Sequence, residues 1–464
     1  MTFITGINYT LVVFSIFKNR VNLLLICLVA LFLFATFPGK GGLEGDQRNI
    51  SLLSQRTDNW GFATPWVYGG WPNFFGHWRF SLVVVQLCVL WLGLWLLFRN
   101  SHFSKSNERL FVYLLIYFAS IFASQLWRDS TLLAISTFAL GVLSHALKLH
   151  GWRRHSLFTF SLTLLIFAAM FKPLYSPILA LFFIWLCKQE LKFRNNFALL
   201  IALSSLFLIF SPYLIDKSLS KQARMIEVAP EQQPMIFDFA SSYCWGQSTQ
   251  LINDATRGLR LVLKPGYPLA SVCASLRPNS WDNLHSNPNK WQFSSPIERL
   301  SGKNIYLVPE LRDAWISMMV HNPIDWLQVR LMYLGPTLTL SNSIVAANEA
   351  SFQSTILSSL NMGLWKVFLL PSLIIDKTRL TSPIILIAFI LLCLGMKVSK
   401  MKSDIGFFSS TNLNEFIALL IIICVVTITI VGYVASNGRY VLPYVLLTYF
   451  LLMRSRGCRS PIQV

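Results

Sequence analysis

Residues 37–72 read FPGKGGLEGDQRNISLLSQRTDNWGFATPWVYGGWP, a polar and aromatic loop caught between two apolar segments. The flanking runs, 21–38 and 81–98, have the length at which an apolar helix spans a bilayer, roughly 17–25 residues. The loop is therefore expected at a membrane face. Its Glu44 and Asp46 stand a few residues beyond the first run, and Asp58, four tryptophans (Trp60, Trp66, Trp71 and Trp78) and Tyr68 follow.

The rest of the chain fits that frame. Of the 464 residues 54% are hydrophobic and only 13% charged, and mean hydropathy is +0.54. A soluble domain has no use for so much apolar surface, and an alternating barrel pattern is absent. No small-residue cleavage site follows 22–38, so that run reads as an anchor. Further spans are expected at 110–127, 130–148, 156–172, 174–188, 196–215, 381–396, 416–435 and 440–453, giving an all-α polytopic membrane protein of about ten transmembrane helices, range 9–12. Residues 353–375 are apolar enough to cross, but are read as an interfacial or re-entrant helix because a crossing there would put Lys397–Lys402 outside.

The net charge of +19 would point to nucleic acid in a soluble protein, so its distribution matters. The short segments assigned to one side carry seventeen Lys and Arg against four acids. Residues 216–353 hold twelve Lys and Arg against eleven Asp and Glu. Short cytoplasmic loops keep Lys and Arg, so the excess is a topology signal: both termini cytoplasmic, the first loop outside, no nucleic-acid partner. The organisation is an N-terminal transmembrane core, 1–215, with the loop 39–80; an extracytoplasmic domain, 216–353; and an interfacial helix with the last spans, 354–464. The middle stretch contains Trp245, Trp281, Trp291 and turns such as Lys264-Pro265-Gly266, and is expected to be a compact mixed α/β domain. Cys244 and Cys273 are the only two of eight cysteines in it, the ordinary pattern for a disulfide in an oxidising compartment such as a bacterial periplasm.

Several polar residues fall at the outer face. Asp46, and after it Glu44, are placed to deprotonate a sugar hydroxyl as general base. Arg128-Asp129 lies between the third and fourth spans, Lys172 between the fifth and sixth, and Arg439 before the last. Isolated charges at the membrane edge face a protein interior or a cavity, and cations there suit a lipid-linked phosphate. Trp315–Arg330 reads as two amphipathic helical pieces broken at Asn322-Pro323 and lying along the membrane surface. P-loop, dinucleotide and GxSxG motifs are missing, and no His or Cys spacing suggests a metal site.

With these residues in hand, the chain resembles the GT-C class of integral membrane glycosyltransferases, which take sugars from polyprenyl-phosphate carriers at the extracytoplasmic face. FPG with GDQRNISLLSQ and TDNWGFATPW looks like the first loop of bacterial members. WRDSTLLA, MFKPLYSPILA, the Trp315–Arg330 segment and NGRYVLP are similar to later elements, in the expected order. The chain departs from the pattern at Ala63-Thr64-Pro65, where a His-Pro pair is common, and at Arg128, where Lys is commoner.

The resemblance implies a hexosyl- or pentosyltransferase of the bacterial inner membrane, its active site facing the periplasm. The donor is a polyprenyl-phosphate sugar and the acceptor a cell-envelope glycan or glycolipid such as lipopolysaccharide. Asp46 becomes the catalytic base, with Glu44 behind it; Lys172, Arg439 and Arg128 hold the donor phosphate; Asp129, Asp58, Trp60 and Tyr440 are further site residues. No cofactor follows firmly, although a divalent cation between Asp46 and Asp129, as in some members, is compatible. Two alternatives stand beside this reading: an O-antigen polymerase or ligase, which would use Arg257, Arg260 and His285, and a lipid-linked sugar transporter or flippase.

Overall fold

The computed structural model describes residues 63–64, 66–67, 79–99, 101, 106–123, 128–191, 195–225, 232–263, 266–276, 300–301, 304–305, 308–339, 388, 416–425, 427 and 442–457. The protein is all-helical over these residues apart from one short ribbon. The first group of helices comprises α1 (Arg79–Phe98), α2 (Ser106–Ala123), α3 (Arg128–Ala146), α4 (Gly151–Met170), a 3-10 turn (Pro173–Tyr175), α5 (Ser176–Leu191) and α6 (Asn195–Gln222). The second comprises α7 (Gln232–Trp245), α8 (Thr249–Arg260), α9 (Ala270–Ser275), α10 (Pro309–His321) and α11 (Pro323–Thr339). Phe416–Val425 forms α12 and Leu442–Gly457 forms α13.

Helices thus occur at eight of the ten expected spans; 21–38 and all of 381–396 but residue 388 lie outside the described residues, as do the expected interfacial segment 353–375 and both termini. Among the described residues one stretch, 198–222 in α6, is long and apolar enough to cross a membrane by length and composition, and Val85–Phe98, Leu110–Ser120 and Phe416–Val425 are shorter apolar helices. The helices α1 to α5 run 16 to 20 residues.

One core joins α1 to α6 with α12 and α13, around Leu90, Leu94, Phe122, Leu133, Phe182, Trp185 and Phe450. Within it α1 and α3 run parallel and touch backbone to backbone. A Cβ on Gly93 would stand 2.5 Å from the Phe138 nitrogen, and one on Gly141 2.7 Å from the Gly93 carbonyl oxygen. Small residues that let helices approach this closely typify packing in an apolar medium, where tight van der Waals contact replaces hydrophobic drive. Helix α4 runs antiparallel to α3, fixed midway by Ser161 Oγ donating to the Ala139 carbonyl at 2.7 Å. At one end of this group, Arg454 on α13 pairs with Glu190 and donates to Gln189 (2.8 Å) on α5 and Ser144 (2.9 Å) on α3. Lys148 Nζ lies 3.7 Å from the Glu190 carboxylate, and Arg99 meets His145 there.

The second core is helical too, which corrects the expectation of a mixed α/β domain over 216–353. Its β structure among the described residues is a ribbon of two-residue strands, β1 (Leu300–Ser301) against β2 (Asn304–Ile305). The reason is periodicity: Leu251, Ala255, Leu259 and Val262 share one face of α8 and its exit, burying against Phe237 and Phe239 of α7. Gly258 is needed there, since a Cβ would come 2.3 Å from the Phe239 ring. Of the expected turn Lys264-Pro265-Gly266, only Gly266 is among the described residues; it lies between α8 and α9 with φ +73°. Cys244 on α7 and Cys273 on α9 form a disulfide. The break between α10 and α11 falls at Asn322-Pro323, where the Asn322 side-chain amide donates to Asp254 on α8 at 3.0 Å.

Candidate functional site

The end of the first helical group opposite Arg454 gathers the start of α3, the turn after α4 and the start of α13. Asp129 occupies the first turn of α3, where unsatisfied N–H groups favour a carboxylate. That turn is held on both sides. Ser130 Oγ donates to the Phe122 carbonyl at 2.8 Å, and Thr131 Oγ donates to Gln86 Oε1 at 2.7 Å. Gln86 in turn donates through Nε2 to the Ala123 carbonyl at 2.5 Å. One lone amide in the apolar run SLVVVQLCVL thereby ties α1 to the end of α2 and the start of α3.

Lys172 stands two residues past the end of α4, held out of the helical conformation as the residue before Pro173, and the chain turns through Pro173–Tyr175 into α5. The turn aims its ammonium at Asp129, and the two form an ion pair whose side chains are 2% and 1% exposed. Burial makes the pair costly to form and costlier to break, because removing either partner strands the other charge. Lys172 Nζ also lies 5.8 Å from the centre of the Tyr175 ring. Tyr175 stacks on Tyr444 of α13 with ring centres 4.5 Å apart and planes 17° apart, both rings being fully buried. Ser176 Oγ donates to the Ile209 carbonyl at 2.8 Å and binds the same turn to α6.

A short part of the first loop reaches this group. Ala63 and Thr64 are buried, and the exposed Trp66 sets its ring edge-on to Phe167 of α4 at 6.1 Å, just over one turn before Lys172.

Of the residues expected at a site, Asp129 and Lys172 meet directly. Arg128 is half-buried at the first position of α3, beside Asp129 in sequence. Glu44, Asp46, Asp58, Trp60, Arg439 and Tyr440 lie outside the described residues. Tyr444 follows Arg439 by five positions, and with Tyr175, Gln86 and Thr131 it was not anticipated from sequence. A signal for the tyrosines was present in the matching FKPLY and YVLPY runs, each placing Tyr just after a helix-starting proline. Among the described residues no group of three or more His, Cys, Asp and Glu is placed to hold a metal ion.

The second core contains a different buried charge. Asp238 on α7 takes a two-point contact from Arg330 on α11, with Nε 2.5 Å from Oδ1 and a terminal nitrogen 2.6 Å from Oδ2. The indole N–H groups of Trp315 and Trp326 donate to the same Oδ2 at 2.7 and 3.1 Å. One carboxylate thus fastens both α10 and α11 to α7. The arrangement is buried and ties three helices together, as a packing device does. Arg257 and Arg260, by contrast, stand exposed in the last turn of α8.

No family model, no curated protein sequence and no solved structure matches the chain.

Proposed function

We propose that the chain is a polytopic membrane glycosyltransferase of GT-C type, moving a sugar from a polyprenyl-phosphate carrier to a cell-surface glycan or glycolipid acceptor. The observation that carries this reading is the meeting of Asp129 and Lys172, 43 residues apart in sequence, with Tyr175 beside Lys172 and Tyr444 stacked on Tyr175. A cation and an acid meeting at one end of a helix group, with an Arg-Tyr pair a few residues before Tyr444 in sequence, suit a phosphate-bearing donor.

Two features support membrane placement. Leu203, Phe207, Phe210 and Leu214 of α6 are 56–63% exposed while Ser204, Ser205 and Ser211 face inward, the reverse of a helix in water. Arg99, Lys148 and Arg454, all assigned to cytoplasmic segments, gather at the end opposite Lys172. On this reading both termini are cytoplasmic, the region 216–353 is extracytoplasmic, and the inner membrane of a bacterium is the setting.

Asp46 takes the proton of the acceptor hydroxyl as its oxygen attacks the anomeric carbon; the bond from that carbon to the phosphate oxygen breaks, and polyprenyl phosphate leaves with inversion. Lys172, Arg439 and Arg128 stabilise the departing phosphate, for which the donor joins Asp129 as a partner of Lys172. Glu44, Asp58, Trp60 and Tyr440 are the further candidate residues on this reading.

The test uses the purified full-length protein in proteoliposomes with a panel of radiolabelled polyprenyl-phosphate sugars and extracted envelope acceptor. Transfer is expected, and Asp46→Asn and Lys172→Met should abolish it while Arg257→Ala and Arg260→Ala leave it in place. Loss with the arginine variants and retention with Asp46→Asn would favour a polymerase or ligase. Movement of carrier across the bilayer without transfer would favour a transporter.

A further inference from the structure

Helix α11 buries Arg330 and leaves most of its aliphatic side chains outside. Its inner side carries Val329 and the buried Arg330, which is neutralised by Asp238 and lies 5.6 Å from the centre of the Trp326 ring. Its outer side carries Ile324, Leu327, Leu331 and Met332, and α10 adds Ile316 and Val320 past the Asn322-Pro323 break. These six aliphatic side chains are 39–71% exposed; Arg312 and Asp313, one turn before Ile316, are exposed as well.

A helix bathed by water buries its aliphatics and leaves its charges out. The opposite arrangement, with a guanidinium drawn in at the cost of its desolvation, suits an apolar surrounding medium. Helix α6 is inverted in the same sense, with leucines out and serines in, and it is the helix long enough to cross a bilayer. A single medium accounts for both. The chain continues without a charged residue from Leu331 to Asn348, so nothing in that stretch opposes an apolar setting.

We propose that the outer side of the α10–α11 hairpin is seated in the lipid surface, its aliphatic stripe among the acyl chains, with Asp238 holding Arg330 and both tryptophans on the opposite side. The hairpin thereby fastens the second helical group to the bilayer. The proposal rests on the membrane reading above and adds the contact face to it.

The experiment places the photoreactive residue p-benzoylphenylalanine at Val320, Ile324 or Leu331 of the full-length protein, one at a time. Each is reconstituted in vesicles of phosphatidylethanolamine and phosphatidylglycerol with a radiolabelled phosphatidylethanolamine tracer, then irradiated. Lipid label is expected at all three positions at a level similar to Phe207 on α6, and several-fold above that at Arg257 and Arg260. Label at Phe207 with only the Arg257 level at the stripe, or a protein–protein adduct there in place of lipid, overturns the proposal and leaves membrane placement standing. No label at Phe207 overturns both.

Discussion

Lys172 and Asp129 form a buried ion pair that joins the end of α4 to the start of α3. Breaking such a pair from one side typically costs about 3–5 kcal/mol, whereas replacing both partners by apolar residues of similar volume is often close to neutral. Asp129→Asn should therefore lower the thermal midpoint of the protein in detergent strongly, and Asp129→Leu combined with Lys172→Met should recover most of that loss. Sugar transfer should remain abolished in the double variant, because the donor phosphate has lost its cation. Recovery of transfer together with stability would reduce the pair to a structural role.

How much of this was legible in the sequence depends on whether the signal is local. Runs such as SLVVVQLCVLWLGLWLLF announce helices by themselves, and the basic residues around them announced which ends lie together. The convergence of Arg99, Lys148 and Arg454 follows from that alternation. Asp129 and Lys172 were legible as singular charges at one face, but their pairing depends on how α3 and α4 pack, which no local pattern encodes. The region 216–353 was misread for a related reason. Its prolines, glycines and tryptophans resemble the punctuation of a sheet, while the decisive signal was the helical spacing of Leu251, Ala255, Gly258, Leu259 and Val262. Asp238 gave no sign of its role, since its three partners lie 77 to 92 residues away.

The Tyr175–Tyr444 stack makes a prediction about α13. Tyr444→Ala removes a large ring from a packed core and should cost about 3–5 kcal/mol of stability. Tyr444→Phe keeps the stacking and should be nearly silent. If the stack sets the position of the Arg439-Tyr440 segment, Tyr444→Leu should raise KM for the lipid-linked donor while Tyr444→Phe leaves it unchanged. An unchanged KM in the leucine variant would detach the stack from the site.

The contact between α1 and α3 has no room for a methyl group. With the Phe138 nitrogen 2.5 Å from where a Cβ would stand, Gly93→Ala should push the two helices apart at a cost of about 1–3 kcal/mol. Gly93→Leu should cost more and reduce the yield of folded protein. Thermal unfolding of the purified variants in detergent measures both, and a wild-type midpoint for Gly93→Leu would contradict the packing.

The disulfide between Cys244 and Cys273, 29 residues apart, closes a loop whose constraint on the unfolded chain amounts to about 3–4 kcal/mol in the chain-entropy picture. Cys244→Ser with Cys273→Ser should make α7 to α9 markedly more sensitive to limited proteolysis, with cleavage sites between residues 232 and 276. The first helical group, which has its own core, should retain its resistance. Equal loss in both would indicate a single cooperative unit.

The central claim is that Asp46 acts as the base in transfer of a sugar from a lipid carrier to a surface acceptor. The most direct measurement is mass spectrometry of surface glycans and glycolipids from a strain lacking the protein, complemented with the wild-type chain or with Asp46→Asn. Loss of one sugar's mass from a single glycan species is expected on deletion, restored by the wild type and not by Asp46→Asn expressed at the same level in the membrane. Full restoration by Asp46→Asn, or a glycan profile untouched by deletion, would contradict it.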